Sequence, residues 1–115
     1  MHFLSLLQKS ELGKVLNISS DLASISKTDG GRLSYRMAKT SLNQQTASLA
    51  ADFRADKINV ALVAVHPGRV PTRMSGGNGS VDLAESADGM VKIVNELDVG
   101  SSGRYLYYTG EPMSW

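Results

Sequence analysis

The run Ile58 to Val65, INVALVAV, constrains the fold more than any other stretch of the chain. It is β-branched and almost wholly apolar, so neither of its faces suits water. Such a run fits a strand covered on both sides, as in a parallel sheet packed between helices. His66-Pro67-Gly68 ends it sharply. On the upstream side the period changes. Ala38, Leu42, Leu49 and Phe53, with Tyr35 and Ala50, recur at three- and four-residue steps between Ser34 and about Arg54. No Gly or Pro interrupts them, which predicts the longest helix of the chain. On the downstream side Asp82, followed by Glu85, forms a capping-box pattern with Asp in place of Ser or Thr. The helix it opens runs through Ala84, Ala87, Met90, Val91, Val94 and Leu97.

Shorter elements flank this centre. Phe3, Leu4, Leu6 and Leu7 form an apolar cluster that reads as the last turns of an amphipathic helix, broken by Gly13. Val15 to Ser19 suits a buried strand, and Tyr105 to Tyr108 a final one. Asp29-Gly30-Gly31 is a turn signal, and Pro71 to Ser80, with three Gly, is a loop. The order helix–strand–helix–strand–helix–strand predicts an α/β fold in one domain over residues 1–115. The expectation is a partial doubly wound parallel sheet of about three strands and three main helices, thin beside the usual ~4–6 strands.

Composition removes several functions. The 115 residues hold 12 Lys+Arg and 11 Asp+Glu, a formal charge of +1, which gives no footprint for nucleic acid or an anionic membrane. A hydrophobic fraction of 42% argues against intrinsic disorder. With no Cys, disulfides, thiolate nucleophiles, iron–sulfur clusters and cysteine zinc sites are excluded. The two His, at 2 and 66, are far apart, and no metal site is expected. The apolar run at Val60 to Val65 falls far short of the ~18 residues of a membrane span. The start MHFLSLLQKS lacks a basic n-region, so no secretory signal is read and a cytoplasmic location is the default expectation. The sequons Asn17-Ile18-Ser19 and Asn78-Gly79-Ser80 are then read as chance.

Candidate chemistry begins with Tyr35 and Lys39. Four residues apart, they share one helix face. Tyr ordinarily ionises near ~10, and a neighbouring ammonium favours its phenolate. A first-turn position adds the positive end of the helix dipole. Such a pair can give a proton to a carbonyl being reduced, or take one from an alcohol being oxidised. By spacing alone an exposed Tyr–Lys contact is the commoner outcome.

Context alters that balance. Asn17-Ile18-Ser19-Ser20 closes a predicted strand, with Ser20 preceding Tyr35 by 15 residues, and Pro67-Gly68-Arg69-Val70-Pro71-Thr72 follows the buried strand. The set NISS, YRMAK and HPGRVPT, in that order on those elements, resembles the short-chain dehydrogenase/reductase family. DGG before the Tyr motif, the HPG triplet and the closing Tyr108-Thr109-Gly110…Trp115 make it similar to the C-factor and sniffer-type carbonyl reductase subgroup.

The resemblance implies roles. Tyr35 matches the family's general acid/base. Lys39 matches the residue that lowers the Tyr pKa and bonds the nicotinamide ribose. Ser20 matches the serine that hydrogen-bonds the substrate carbonyl, with Ser19 and Ser24 as alternatives because the gap to Tyr35 is long. Pro67, Gly68, Val70 and Thr72 match the segment lining the nicotinamide and pyrophosphate. Pro67 fixes φ and Gly68 permits close approach of a flat ring. Val70 is expected to offer backbone groups to the carboxamide and Thr72 a hydroxyl. The cofactor implied is NAD or NADP, the substrate a small carbonyl or alcohol, and the assembled form a homo-oligomer. Ser75 to Ser80 matches no nucleotide-binding spacing and reads as a mobile loop or a lid. His66, Arg69, Arg73 and the tyrosines at 105, 107 and 108 read as structural or surface residues.

The family's opening motif, TGxxxGxG at the start of the first helix, does not occur in these 115 residues, nor does its NNAG-like strand end. The chain therefore reads as the carboxyl-terminal half of the enzyme. Dinucleotides bind where strand order reverses, and one half provides one wall. Val15 to Ser19 becomes an apolar open edge, an aggregation hazard. The chain alone is thus expected to be poorly folded or aggregated, and to bind no NAD(P)H with useful affinity. The alternative is a non-catalytic short product that associates with full-length subunits.

Overall fold

The computed structural model describes residues 3–115; Met1 and His2 lie outside the described residues. At its centre is β2, Val60–His66. It pairs in parallel with β1, Gly13–Ile18, on one side and with β3, Arg104–Tyr107, on the other. All six residues from Val60 to Val65 are buried. Strand periodicity divides them between two layers. Ala61, Val63 and Val65 pack with Val81, Ile93, Leu97, Leu106 and Tyr108 beneath α3, Leu83–Glu96. Val60 and Leu62 turn the other way, onto Ala50 and Phe53 of α2, Leu33–Ala55. This is the doubly covered parallel strand that the INVALVAV run predicts.

The remaining elements follow the expected order with two differences. The first helix, α1, is one turn, Leu4–Leu7, with Leu4 and Leu7 against the Val60–Phe53 cluster and Phe3 and Leu6 exposed. The capping box is half made. The Asp82 carboxylate accepts from the amides of Ala84 (2.9 Å) and Glu85 (3.1 Å), but Glu85 does not reach back. Its carboxylate accepts instead from the Tyr108 hydroxyl at 2.8 Å. A side chain seated against a neighbouring strand outcompeted the local cap.

The carboxyl end of α3 is capped from far away. Lys14 Nζ, on β1, donates to the carbonyls of Val94 (2.8 Å) and Asn95 (2.9 Å). A cation there meets the negative end of the helix dipole and adds a donor to two carbonyls of the last turn. Lys14→Met is expected to lower stability by about 1 kcal/mol, measured as the shift in the urea midpoint.

Beyond β3 the chain turns back over the sheet. Pro112 bridges antiparallel to Leu106, Met113 N–H donates to Tyr105 O (2.9 Å), and Trp115 stacks on Tyr105 at 5.4 Å. This covers the β3 side. Among the described residues no strand pairs with the outer edge of β1, whose last residue, Ile18, is 44% exposed. No described helix is long and apolar enough to cross a membrane.

Candidate active site

In a parallel sheet with helices on both faces, ligands bind beyond the carboxyl ends of the strands. The ends of β1 and β2 are in register, Ile18 opposite Val65, and Ser19 N–H extends the ladder to Val65 O at 2.7 Å. Ser20 follows directly and caps a 3₁₀ turn, Asp21–Ala23. Its Oγ accepts from the Leu22 amide (3.2 Å) and donates to Asp21 Oδ1 (3.0 Å). Two bonds fix the turn. Thr40 Oγ1 on α2 donates to Ala23 O at 2.9 Å, and the Tyr105 hydroxyl donates to Ser20 O.

Tyr35 lies in the first turn of α2 and Lys39 one turn later. Lys39 Nζ donates to Ile18 O at 2.7 Å and stands 5.8 Å from the centroid of the Tyr35 ring. The ammonium thus joins the Tyr35 ring to the strand end from which Ser20 emerges. Ser19 points elsewhere: its Oγ donates to Asn43 Oδ1 at 2.6 Å, both residues being buried. Ser24 Oγ lies 3.3 Å from both Ser26 Oγ and Trp115 O. The two alternative serines are therefore committed to bonds in the core and with the chain's last residues.

Entry into α2 has an unforeseen support. Gly30, Gly31 and Arg32 have φ of 87°, 70° and 51°, three successive left-handed residues, and no side chain caps the helix. The Arg36 guanidinium gathers this turn. Its Nε donates to Gly31 O and its Nη2 to Gly30 O, both at 2.9 Å, and Nη2 also meets the Asp29 carboxylate. Asp29-Gly30-Gly31 signals a turn in the sequence, but only the fold shows that Arg36, beside Tyr35, closes it.

The Pro67–Thr72 segment differs from expectation in its detail. Gly68 has φ of 81°, and a Cβ there would lie 2.8 Å from Val81 Cγ2 and 3.2 Å from the Tyr107 hydroxyl. Packing onto β3 and the approach to α3 therefore already demands glycine. Pro67 O accepts from Ser86 Oγ at 2.6 Å. Val70 N–H donates to Gly68 O (3.1 Å), and Val70 O accepts from Ser75 Oγ (3.1 Å). Thr72 N–H donates to Ser75 Oγ (2.8 Å), and Thr72 Oγ1 accepts from the Ser75 amide (3.3 Å). The groups of Val70 and Thr72 expected to face a ligand are thus bonded within their own loop, with Ser75 at its hub.

Two tyrosines are held neutral. Burial, reinforced by the Asp21 charge, pushes Tyr105 up to about 12. The bond to Glu85, with burial, does the same for Tyr108. An unfolded Tyr ionises near ~10. Between that pH and about 12 the unfolded chain has lost protons that the folded chain keeps. Stability is therefore expected to be full below ~10 and to fall as pH rises toward the folded values. Ultraviolet titration should show Tyr105 and Tyr108 ionising late in the folded chain and near ~10 in denaturant.

Residues 1–107 match the sequence family described as enoyl-(acyl carrier protein) reductase. The chain belongs to the short-chain dehydrogenase/reductase family. It is similar to the C-signal of Myxococcus xanthus, 33% identical over 110 residues, 95% of this chain and 65% of that protein. It superposes on NADPH-bound carbonyl reductase from chicken fatty liver with a TM-score of 0.87 and 34% identity, covering 98% of this chain and 50% of that one. Against the carbonyl reductase Sniffer of D. melanogaster the TM-score is 0.83 at 31% identity, over 97% and 46% of the two chains. The chain thus spans about half to two thirds of the length of these family members.

Proposed function

We propose that the chain forms the substrate-side wall of an NAD(P)-dependent carbonyl reductase, with Ser20, Tyr35 and Lys39 as its reacting group. One observation carries this reading: the Lys39 ammonium bridges the Ile18 carbonyl and the Tyr35 ring at the carboxyl edge of the sheet, where Ser20 begins. The NADPH bound by the chicken carbonyl reductase supports the choice of cofactor.

The residues present suit such a cofactor on this wall. An ammonium carries three donors, and Ile18 O takes one, leaving others for ribose hydroxyls. Pro67 and Gly68 stand at the adjacent strand end to flank the ring. Bound nicotinamide supplies or receives the hydride. Ser20 Oγ donates to the substrate carbonyl oxygen once it leaves Asp21. Tyr35 Oη delivers the proton to that oxygen, and Lys39 steadies the phenolate that results. Val70 and Thr72 would meet the cofactor only by giving up their bonds to Ser75. The opposite wall is a sheet half that pairs with the free edge of β1.

Joining the chain to the half of the chicken carbonyl reductase that it does not cover tests this directly. The expected result is nicotinamide-dependent reduction of an aldehyde panel, lost on Lys39→Met. A folded fusion without turnover, or one indifferent to Lys39, defeats the reading.

A further inference from the structure

His66, the last residue of β2, lies between two features of the site without belonging to either. Its Nε2 faces Asp21 Oδ1 at 3.8 Å, and its Nδ1 is buried with no partner. From β3 the Tyr107 ring packs against it, 5.3 Å between centroids. Among the described residues no other charged side chain makes an ion pair with it. The same Asp21 Oδ1 accepts the Ser20 hydroxyl proton at 3.0 Å. A single carboxylate oxygen therefore serves both Ser20 and His66. Asp21 is exposed at the 3₁₀ turn, with room to move.

We propose that Asp21 is a positioning residue for Ser20 and that the protonation of His66 sets which way the Ser20 hydroxyl points. The proposal rests on Ser20 being the residue that meets the substrate carbonyl. In neutral imidazole one nitrogen carries hydrogen, and the carboxylate favours Nε2. The bare Nδ1 is then a buried acceptor left unpaired. A second proton must go onto Nδ1, where no acceptor waits, and burial accordingly holds His66 below the ordinary imidazole range while Asp21 partly offsets this. Near neutral pH the Ser20 proton stays on Asp21. When His66 becomes imidazolium, Nε2–H is a charge-assisted donor and draws the Asp21 oxygen to hydrogen-bonding distance. Ser20 still accepts from the Leu22 amide, so its oxygen stays in place while its proton becomes free to meet a carbonyl. The device favours the reductive direction at lower pH, where a proton is consumed.

Reciprocity supplies the test. If protonating His66 weakens the Ser20–Asp21 bond, then removing the Ser20 hydroxyl must make His66 easier to protonate. Histidine C2 hydrogen exchange, read peptide by peptide by mass spectrometry on the fusion to the chicken reductase half without cofactor, reports His66 separately from every other His. Ser20→Ala is expected to raise the His66 midpoint by roughly half a pH unit. Asp21→Asn should lower it, and Ser20→Ala should then have no further effect. Ser20→Thr, which keeps the hydroxyl, should match wild type and so separates loss of the proton from a loosened turn. A His66 midpoint identical in wild type, Ser20→Ala and Asp21→Asn overturns the proposal, as does Ser20→Thr behaving like Ser20→Ala. No substrate or cofactor is present in this measurement. It can therefore fail while Ser20→Ala still abolishes turnover in the completed enzyme, or succeed while it does not.

Discussion

Tyr35→Phe should reduce carbonyl turnover in the completed enzyme by ~10²–10⁴-fold, the usual contribution of a positioned proton donor. The phenol oxygen is the only atom removed. Tyr35 is half-exposed in the first turn of α2, and that turn is held by Arg36 on Asp29, Gly30 and Gly31 rather than by the Tyr35 hydroxyl. The folding free energy, read from thermal unfolding, should therefore stay within the roughly ±0.5 kcal/mol typical of surface changes. Loss of turnover with unchanged stability is the signature of a lost proton path. Undiminished turnover in Tyr35→Phe would remove Tyr35 from the reaction and leave Lys39 as a structural tie to β1.

The second large effect concerns stability, and its sign reverses the local rule. Within a helix, Gly→Ala ordinarily stabilises by about 0.5–1 kcal/mol. Gly89 lies in the middle of α3, so helix propensity favours Ala. Yet a Cβ there would sit 2.3 Å from the Tyr108 carbonyl oxygen and 2.9 Å from its Cδ2. Tyr108 cannot yield cheaply: it is buried, its ring packs on Tyr107 at 4.5 Å, and its hydroxyl holds Glu85 one turn earlier. Gly89→Ala should push α3 away from the sheet and cost about 3 kcal/mol, the upper end of ordinary overpacking. Urea denaturation measures it, and the alkaline ionisation of Tyr108 should move earlier in the same variant as the Glu85 bond loosens. A stabilised Gly89→Ala would mean that α3 does not seat on Tyr108.

Much of the fold could be read along the chain because its causes are local. The alternation of Ala61, Val63 and Val65 with Val60 and Leu62 needs only the strand period to assign two buried faces. The Tyr35–Lys39 face follows from the helical repeat, and Asp82 announces a helix start through its own side chain. The open edge of β1 is expected from the family resemblance, in which a preceding sheet half pairs with this strand, and the order β1-β2-β3 places β1 at the edge. The motifs NISS, YRMAK and HPGRVPT point to a candidate site through their resemblance to the family, and they fall near the ends of those same elements.

Other features were decided where distant segments meet. Lys14 caps α3 across 80 residues, and Tyr105 fixes the carbonyl of Ser20 across 85. Asp21 lies between Ser20 and His66 because β1 and β2 run in parallel register, and nothing in the spacing of those residues foretells it. Gly68 reads as an allowance for a ligand, but the walls it touches are Val81, Tyr107 and Tyr108. Periodicity and turn chemistry act over a few residues and are written in order along the chain. Side-chain bonds and steric limits act over a few ångströms, and which atoms come that close is settled only when the layers close.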